Sequence, residues 1–310
     1  MPRIKKIFSL SVIYLIFMGS HVSAQIGCDR ACLEDHITTY LDALIASNPS
    51  GVPLAVNAKI SVNNRLVPLA DTFWADAEET IYRWDIANTR LGDVATESVI
   101  RNGDGSVTMI MVRLKVANNV WTEVEVIYAN EGDSDRIWGP EQILDYPLSK
   151  NLTKSIRPVD RDSYYGLIAA TEGYWRAFQT NGTDEYRPAN WLYDALRFEN
   201  GMQTTGLFPD GSFRPIAQGF EEGRYIGRNL WDRRYPVVDE ERGIVLSIIR
   251  FGIKAGMESQ SVVTANNRLV GEFFQINSGK IQEIQAVLTN IPDSMPSVWE
   301  ADYGPGQGGW

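Results

Sequence analysis

Glu272 stands in the run Glu272-Phe273-Phe274-Gln275-Ile276-Asn277, where the side chains of a strand would alternate between two faces. Glu272, Phe274 and Ile276 then share a face, and the carboxyl group looks into an apolar interior. Apolar surroundings raise a carboxyl pKa and strengthen hydrogen bonds to developing charge, which suits general acid–base chemistry near neutral pH. Glu272 is therefore the first candidate catalytic residue; the competing placement is a strand end, solvated or paired with arginine. Asp232, Arg234 and Tyr235 open another candidate strand in "LWDRRYPVVDEERGIV". Asp232 is a candidate donor, and Tyr235 a candidate binding residue. Arg234 could pair with Glu272 across neighbouring strands, hold an anionic substrate group in its planar fork, or form a surface ion pair. Tyr165 and Tyr174 offer hydroxyl donors from a helical stretch, where aromatic side chains more often fill a core. His36 lies one helical turn from both Cys32 and Tyr40, as a general base or as a structural residue.

The patterns that would announce other chemistries are missing from the sequence. It has no Cys-x-x-Cys pair, no His-Glu-x-x-His, no EF-hand loop and no phosphate-binding glycine loop after a strand. No Gly-x-Ser-x-Gly accompanies His36. The expectation is a site without metal or cofactor. The two cysteines, Cys28 and Cys32, read as a disulfide in an oxidising compartment. One helical turn brings their Cα atoms to about 6 Å, within bridging range.

An oxidising compartment fits the start of the chain. Residues 1–24 begin with Arg3, Lys5 and Lys6, continue through the apolar run Ile7 to Met18, and end on the small residues of "VSA". That is the layout of a secretory signal peptide, so the chain is expected to be secreted or periplasmic. Beyond residue 24 the chain carries 26 Lys and Arg against 39 Asp and Glu. Such a surface repels nucleic acid and anionic membranes, so both are disfavoured as partners. Hydrophobic content of 44% with nine Trp supplies ample core for two domains.

The elements that must position these candidates come in two copies. "VRLKVANNVWTEVEVIYAN" (112–130) and "EFFQINSGKIQEIQAVLTN" (272–290) align without a gap, each a strand, a tight polar turn and a strand. Leu114 matches Phe274, Val116 matches Ile276, Glu123 matches Glu283 and Val124 matches Ile284; Glu272 falls opposite Val112. "NAKISVNNR" matches "DALRFENGM" more loosely; upstream, "YLDALIASN" faces "YWRAFQTNG", and each of these last two has apolar residues at helical spacing. "YRWDIANTRLGDV" matches the charged stretch, which puts Asp239 to Arg242 at a solvated hairpin tip with Gly243 just past it. The expected organisation is a signal peptide (1–24), a first α+β unit (25–130), a linker (131–162), a second unit (163–290) and a Pro/Gly-rich tail (291–310) held by Trp299 and Trp310. Each unit begins with a helix, Leu33 to Ser47 or Tyr164 to Thr180, packed on a curved antiparallel sheet.

This plan resembles the cone-shaped fold of the nuclear transport factor 2-like superfamily, which includes ketosteroid isomerase, scytalone dehydratase and SnoaL-like cyclases. "CDRACLEDHITTYLDAL", "RFENGMQTT", "RRYPVVDEERGIVLSIIRFG" and "EFFQINSGKIQEIQAV" are closer still to an uncharacterised family of secreted fungal and bacterial proteins. The resemblance implies a pocket at the wide end of the cone. There, a carboxylate or His would run lyase, dehydratase or isomerase chemistry, aided by Tyr or Asp donors. It also implies dimerisation through the sheet face, so a tandem copy would make a pseudo-dimeric monomer, with a homodimer as the other arrangement. The ligand that the resemblance implies is a small, partly apolar molecule; the competing expectation is a periplasmic or extracellular protein that binds a small molecule or a partner and performs no chemistry.

Overall fold

The computed structural model describes residues 28–71, 73–181, 189–253, 267–292 and 295–299. The signal-peptide segment and Trp310 lie outside the described residues. Helix α1 (Arg30–Ile45) begins three residues before the expected start because Asp29 caps it, its side chain accepting from the Cys32 amide at 2.9 Å. It buries Leu33, His36, Ile37, Tyr40, Leu41 and Leu44, a single 3.6-period stripe. Strands β1 (Leu54–Val62), β2 (Arg65–Leu66), β3 (Ala77–Asn88), β4 (Asp93–Asn102), β5 (Val107–Ala117) and β6 (Val120–Ala129) follow. They form a sheet in the order β3-β4-β5-β6-β1-β2.

Short helices α2 (Pro140–Asp145) and α3 (Lys150–Thr153) occupy the connecting segment, and helix α4 (Tyr164–Thr180) opens the second half. Then come β7 (Trp191–Glu199), β8 (Met202–Leu207), β9 (Phe213–Arg214), α5 (Ile216–Glu221), β10 (Arg228–Asp239), β11 (Ile244–Ile253), β12 (Asn267–Asn277) and β13 (Lys280–Ile291). Their order, β10-β11-β12-β13-β7-β8-β9, is that of the first sheet with one strand added. The architecture is mixed α and β, with two large sheets.

The correspondence extends to single residues. Leu114 pairs with Val124 and Phe274 with Ile284, and each hairpin shifts register one residue later, at Lys115/Val116 and at Gln275/Ile276. Strand β1 runs parallel to β6 through Ile60↔Val124, and β7 runs parallel to β13 through Arg197↔Ile284. The hairpin turns Asn63-Asn64, Asn118-Asn119, Asn200-Gly201 and Ser278-Gly279 all hold two successive residues at positive φ, the geometry that matches strand twist. Gly92 and Gly243 do the same work twice. At φ +72° and +68° each turns a hairpin, and a Cβ there would stand 2.4 Å from the Val116 carbonyl oxygen or 2.3 Å from that of Ile276.

The sheets pack face to face. Trp84, Ile86, Val99, Met111 and Ile127 of the first meet Phe198, Val237, Leu246, Phe273 and Val287 of the second. Each sheet also has its own core beneath its long helix. Ile143 of α2 and Leu152 of α3 join the core between the sheets, so the connecting segment takes part in the packing. The tail is held as well: Trp299 is fully buried, and its Nε1 donates to Ser61 Oγ at 2.8 Å.

Asp239 to Arg242 do form a turn, but one that is only partly solvated: the Glu240 and Glu241 side chains stay 38% and 36% exposed. Asp239 is fully buried, with both carboxylate oxygens on Arg30 (2.7 and 2.9 Å) and the Glu241 and Arg242 amides donating to it. Glu241 reaches Arg30 and Ser155, while Arg242 donates to the Asp85 carbonyl oxygen at 2.7 Å and pairs with Glu34. The charges at this tip fasten the second half of the chain to the first. That contact lies between distant segments and leaves no trace in local spacing.

Cys28 and Cys32 form the disulfide, Cα atoms 5.2 Å apart. Because it closes a loop of one helical turn, reduction should cost at most about 2 kcal/mol. Urea unfolding with and without reductant measures this; collapse of the fold on reduction would contradict it.

Candidate functional site

A cavity of about 540 Å³ lies in the second half of the chain, a size that suits a small organic ligand. Tyr174, Trp175 and Phe178 of α4 line it, with Arg197 and Glu199 of β7, Thr204 and Thr205 of β8, and Ile216 of α5. Tyr225 comes from the turn between α5 and β10, Arg228 from the start of β10, Phe251 from β11, and Arg268, Val270 and Glu272 from β12. Alternation along β12 sends Phe273 and Phe274 to different cores. Glu272 therefore points toward α4, as the strand pattern implies.

Glu272 is 5% exposed. Burial raises its carboxyl to about 8, nearby Glu199 pushes the same way, and Arg197 and a hydrogen bond from Tyr174 hold it back. At neutral pH it is mostly the neutral acid, with an ionised fraction within reach. Arg197 organises the neighbouring groups. Its Nη1 donates to the Tyr174 hydroxyl at 3.1 Å, its Nε donates to Thr204 Oγ1 at 2.8 Å and lies 3.4 Å from Glu199 Oε2, and its Nη2 reaches the Tyr225 hydroxyl at 3.5 Å. Burial works against the Arg197 charge, but Glu199, Tyr225 and Tyr174 outweigh it, so the guanidinium stays charged. Burial first, and then the Glu272 charge, keep the Tyr174 hydroxyl protonated as a donor. A buried carboxyl, a tyrosine O–H and a fixed cation thus stand in one apolar cavity. This set can move a proton and can stabilise negative charge on oxygen.

The first sheet shows why the second has the cavity. Matched strand pairing places Ile60 where Arg197 stands, Val62 where Glu199 stands and Val112 where Glu272 stands. Ala77, paired to Asn102, corresponds to Arg228, paired to Ile253. Val62, Ala77 and Val112 belong to the apolar core of the first half, with Ile60 packed against it. Tyr40, Trp74 and Trp121 fill that space, with ring centroids 5.5 and 6.1 Å from Tyr40. Comparison of the two matched sheets singles out Glu272 through Val112. The same comparison, carried through every strand, finds Arg197, Glu199 and Arg228, each the charged member of a pair whose other member is apolar.

Of the other candidates, Tyr174 lines the cavity and the rest stand elsewhere. Arg234 does not pair with Glu272: it points between the sheets and takes Glu125 in both hands, at 2.6 and 3.0 Å. Asp232 pairs with Arg250 across the neighbouring strand. Tyr235 donates to Glu172 on α4 and is kept protonated by burial and by that carboxylate. Tyr165 is 80% exposed on the outer face of α4. His36 accepts from Trp121 Nε1 at its Nδ1 (3.0 Å), while its Nε2 meets Asn119 at 3.2 Å. Burial lowers its pKa, so it is a neutral core residue. Cys28, Cys32 and His36 are the described residues grouped closely enough to hold a metal, but the disulfide takes both sulfurs.

A family model described as a domain of unknown function (DUF8021) matches residues 160–288. The match spans the second sheet, its helix and the charged groups of the cavity. No curated protein matches the chain.

Proposed function

We propose that the chain is an exported enzyme that needs no cofactor and performs acid–base chemistry of the lyase, dehydratase or isomerase type. The observation that carries this reading is Glu272, a buried carboxyl titrating near 8 in a cavity beside a tyrosine O–H held by a charged arginine. Ionised Glu272 takes a proton from carbon next to a carbonyl group. The electron pair moves onto the carbonyl oxygen, where the Tyr174 hydroxyl donates and Arg197 supports it. Return of the proton to another carbon is isomerisation; its delivery to a departing hydroxyl is dehydration. The cavity's apolar walls keep the developing charge away from bulk water.

The matched strand order, register and turns support a tandem duplication of one cone-like unit of the nuclear transport factor 2-like kind. Sheet-to-sheet packing inside one chain supports a pseudo-dimeric monomer, in which the filled first unit buttresses the open second one. The disulfide across the first turn of α1 and the basic-then-apolar start of the sequence support export.

Turnover on a panel of small hydroxy and carbonyl compounds tests the reading. Glu272→Gln should lower kcat/KM by about 10²–10⁴-fold, the usual worth of a positioned acid or base. Unchanged turnover in the variant would remove Glu272 from the chemistry. A ligand held by the protein and recovered unconverted would support a binding protein instead.

A further inference from the structure

We infer that the cavity takes a small molecule bearing one carboxylate, and that Arg228 is the residue on which this carboxylate sits. The inference rests on the acid–base reading of the cavity only for what happens to the rest of the ligand. Arg228 is 2% exposed and lines the cavity. The guanidinium lies over the Phe251 ring, 4.9 Å from the centroid, with Arg268 close by and the Tyr225 hydroxyl as the one group among the described residues that favours its charge. Its Nε is buried with no acceptor among the described residues.

The remaining charges of the cavity are matched to one another. Arg197 has Glu199, Arg224 has Glu222, and Arg268 has Asp135 at 2.8 Å. Arg214 is exposed at the rim, and Glu272 is held neutral through most of the physiological range. Among the described residues one buried positive charge is left over, which calls for one negative charge from a ligand. A phosphate dianion would bring a second charge, with no further unmatched buried cation of the cavity's described lining to meet it.

A structural role does not account for Arg228. The equivalent position in the first half is Ala77, which makes the same strand pairing with no long side chain. Keeping a guanidinium buried without a carboxylate costs stability, and so is retained where a ligand supplies the anion. Burial, with Arg268 adding to it, depresses the Arg228 pKa to about 10, the direction expected of a cation waiting for a partner. The planar fork is suited to a carboxylate, which it binds through two parallel hydrogen bonds.

Calorimetry on the purified protein tests this with matched acids and amides: acetate and acetamide, phenylacetate and phenylacetamide, naphthylacetate and naphthylacetamide. Phenyl phosphate is the second anion, and the buffer contains neither carboxylate nor phosphate. At least one acid should bind tenfold or more tightly than its amide and than phenyl phosphate. Arg228→Met should erase that preference, and Arg228→Lys should keep part of it. Because the wild-type charge is unpaired, Arg228→Met should melt no lower than the parent, an outcome that a structural arginine would not give. Equal binding of acids and amides across the panel, an undiminished preference in Arg228→Met, a lower melting temperature in that variant, or tighter binding of phenyl phosphate would each overturn the proposal. Glu272→Gln should still bind the preferred acid. Loss of acid preference with Glu272-dependent turnover intact fails the anion seat alone, and the reverse result fails the acid–base reading alone.

Discussion

Glu125→Leu should destabilise the protein by about 3–5 kcal/mol, the usual cost of removing one partner from a buried ion pair. Glu125 is 2% exposed and Arg234 is 4% exposed, and they meet through two charge-assisted hydrogen bonds across the sheet interface. Arg113 approaches the same carboxylate at 3.9 Å, and Trp299 lies against both guanidiniums. The leucine takes from Arg234 the carboxylate that both of its bonds reach, while Arg113 keeps Asp93 at 3.1 Å and Glu123 at 2.5 Å. Glu125→Leu combined with Arg234→Met should recover most of the loss, since an apolar pair of similar volume needs no desolvation of charge. Urea unfolding of the two single variants and the double variant gives the coupling between the sheets. A single-variant cost below about 1 kcal/mol would mean that the pair behaves as a surface ion pair.

Glu97→Gln should stabilise the protein at alkaline pH and leave it unchanged in acid. Glu97 is fully buried between the sheets, accepts from Trp84 Nε1 at 3.2 Å, and has an Oε1 without a hydrogen-bond partner. Burial raises its carboxyl to about 8 from the ordinary value of 4.5, and Glu283 of the facing sheet adds to the shift. The sign follows from the proton. The folded state binds it more tightly than the unfolded state, so this contribution to stability is complete below pH 4.5. It is lost progressively as pH rises from 4.5 to about 8. The loss is on the order of a few kcal/mol by pH 9. Glutamine keeps an acceptor for Trp84 and cannot ionise, so the variant should escape most of that loss. Urea unfolding at pH 5 and pH 9 measures it. A variant less stable than the parent at pH 9, or a difference equal at both values, would contradict the assignment.

Both predictions depend on contacts that local patterns do not reveal. Periodicity located the two helices, the paired hairpins and their register because each is set by neighbours within one element or one turn. Alternation along β12 was enough to turn Glu272 inward, and its apolar counterpart Val112 marked the second half as the one with polar chemistry. The same reasoning misjudged Arg234 and the Asp239–Arg242 turn, because their partners, Glu125 and Arg30, lie far away in sequence. A strand pattern says which face a side chain takes; it does not say that the facing layer is a second sheet carrying a complementary charge. Arg197 and Arg228 escaped for another reason. A charged residue in a strand ordinarily reads as solvent-facing, and only the comparison with Ile60 and Ala77 shows that each replaces a core residue.

The central claim is that Glu272 is a mostly neutral acid at pH 7, poised to exchange a proton inside the cavity. Carboxyl ¹³C chemical shifts of the glutamate-labelled protein, compared with Glu272→Gln to assign the resonance, follow its ionisation directly. A midpoint of about 8 is the predicted result. A midpoint near 4.5, the ordinary glutamate value, would mean that the carboxyl is ionised at neutral pH like any surface glutamate, and would contradict the account.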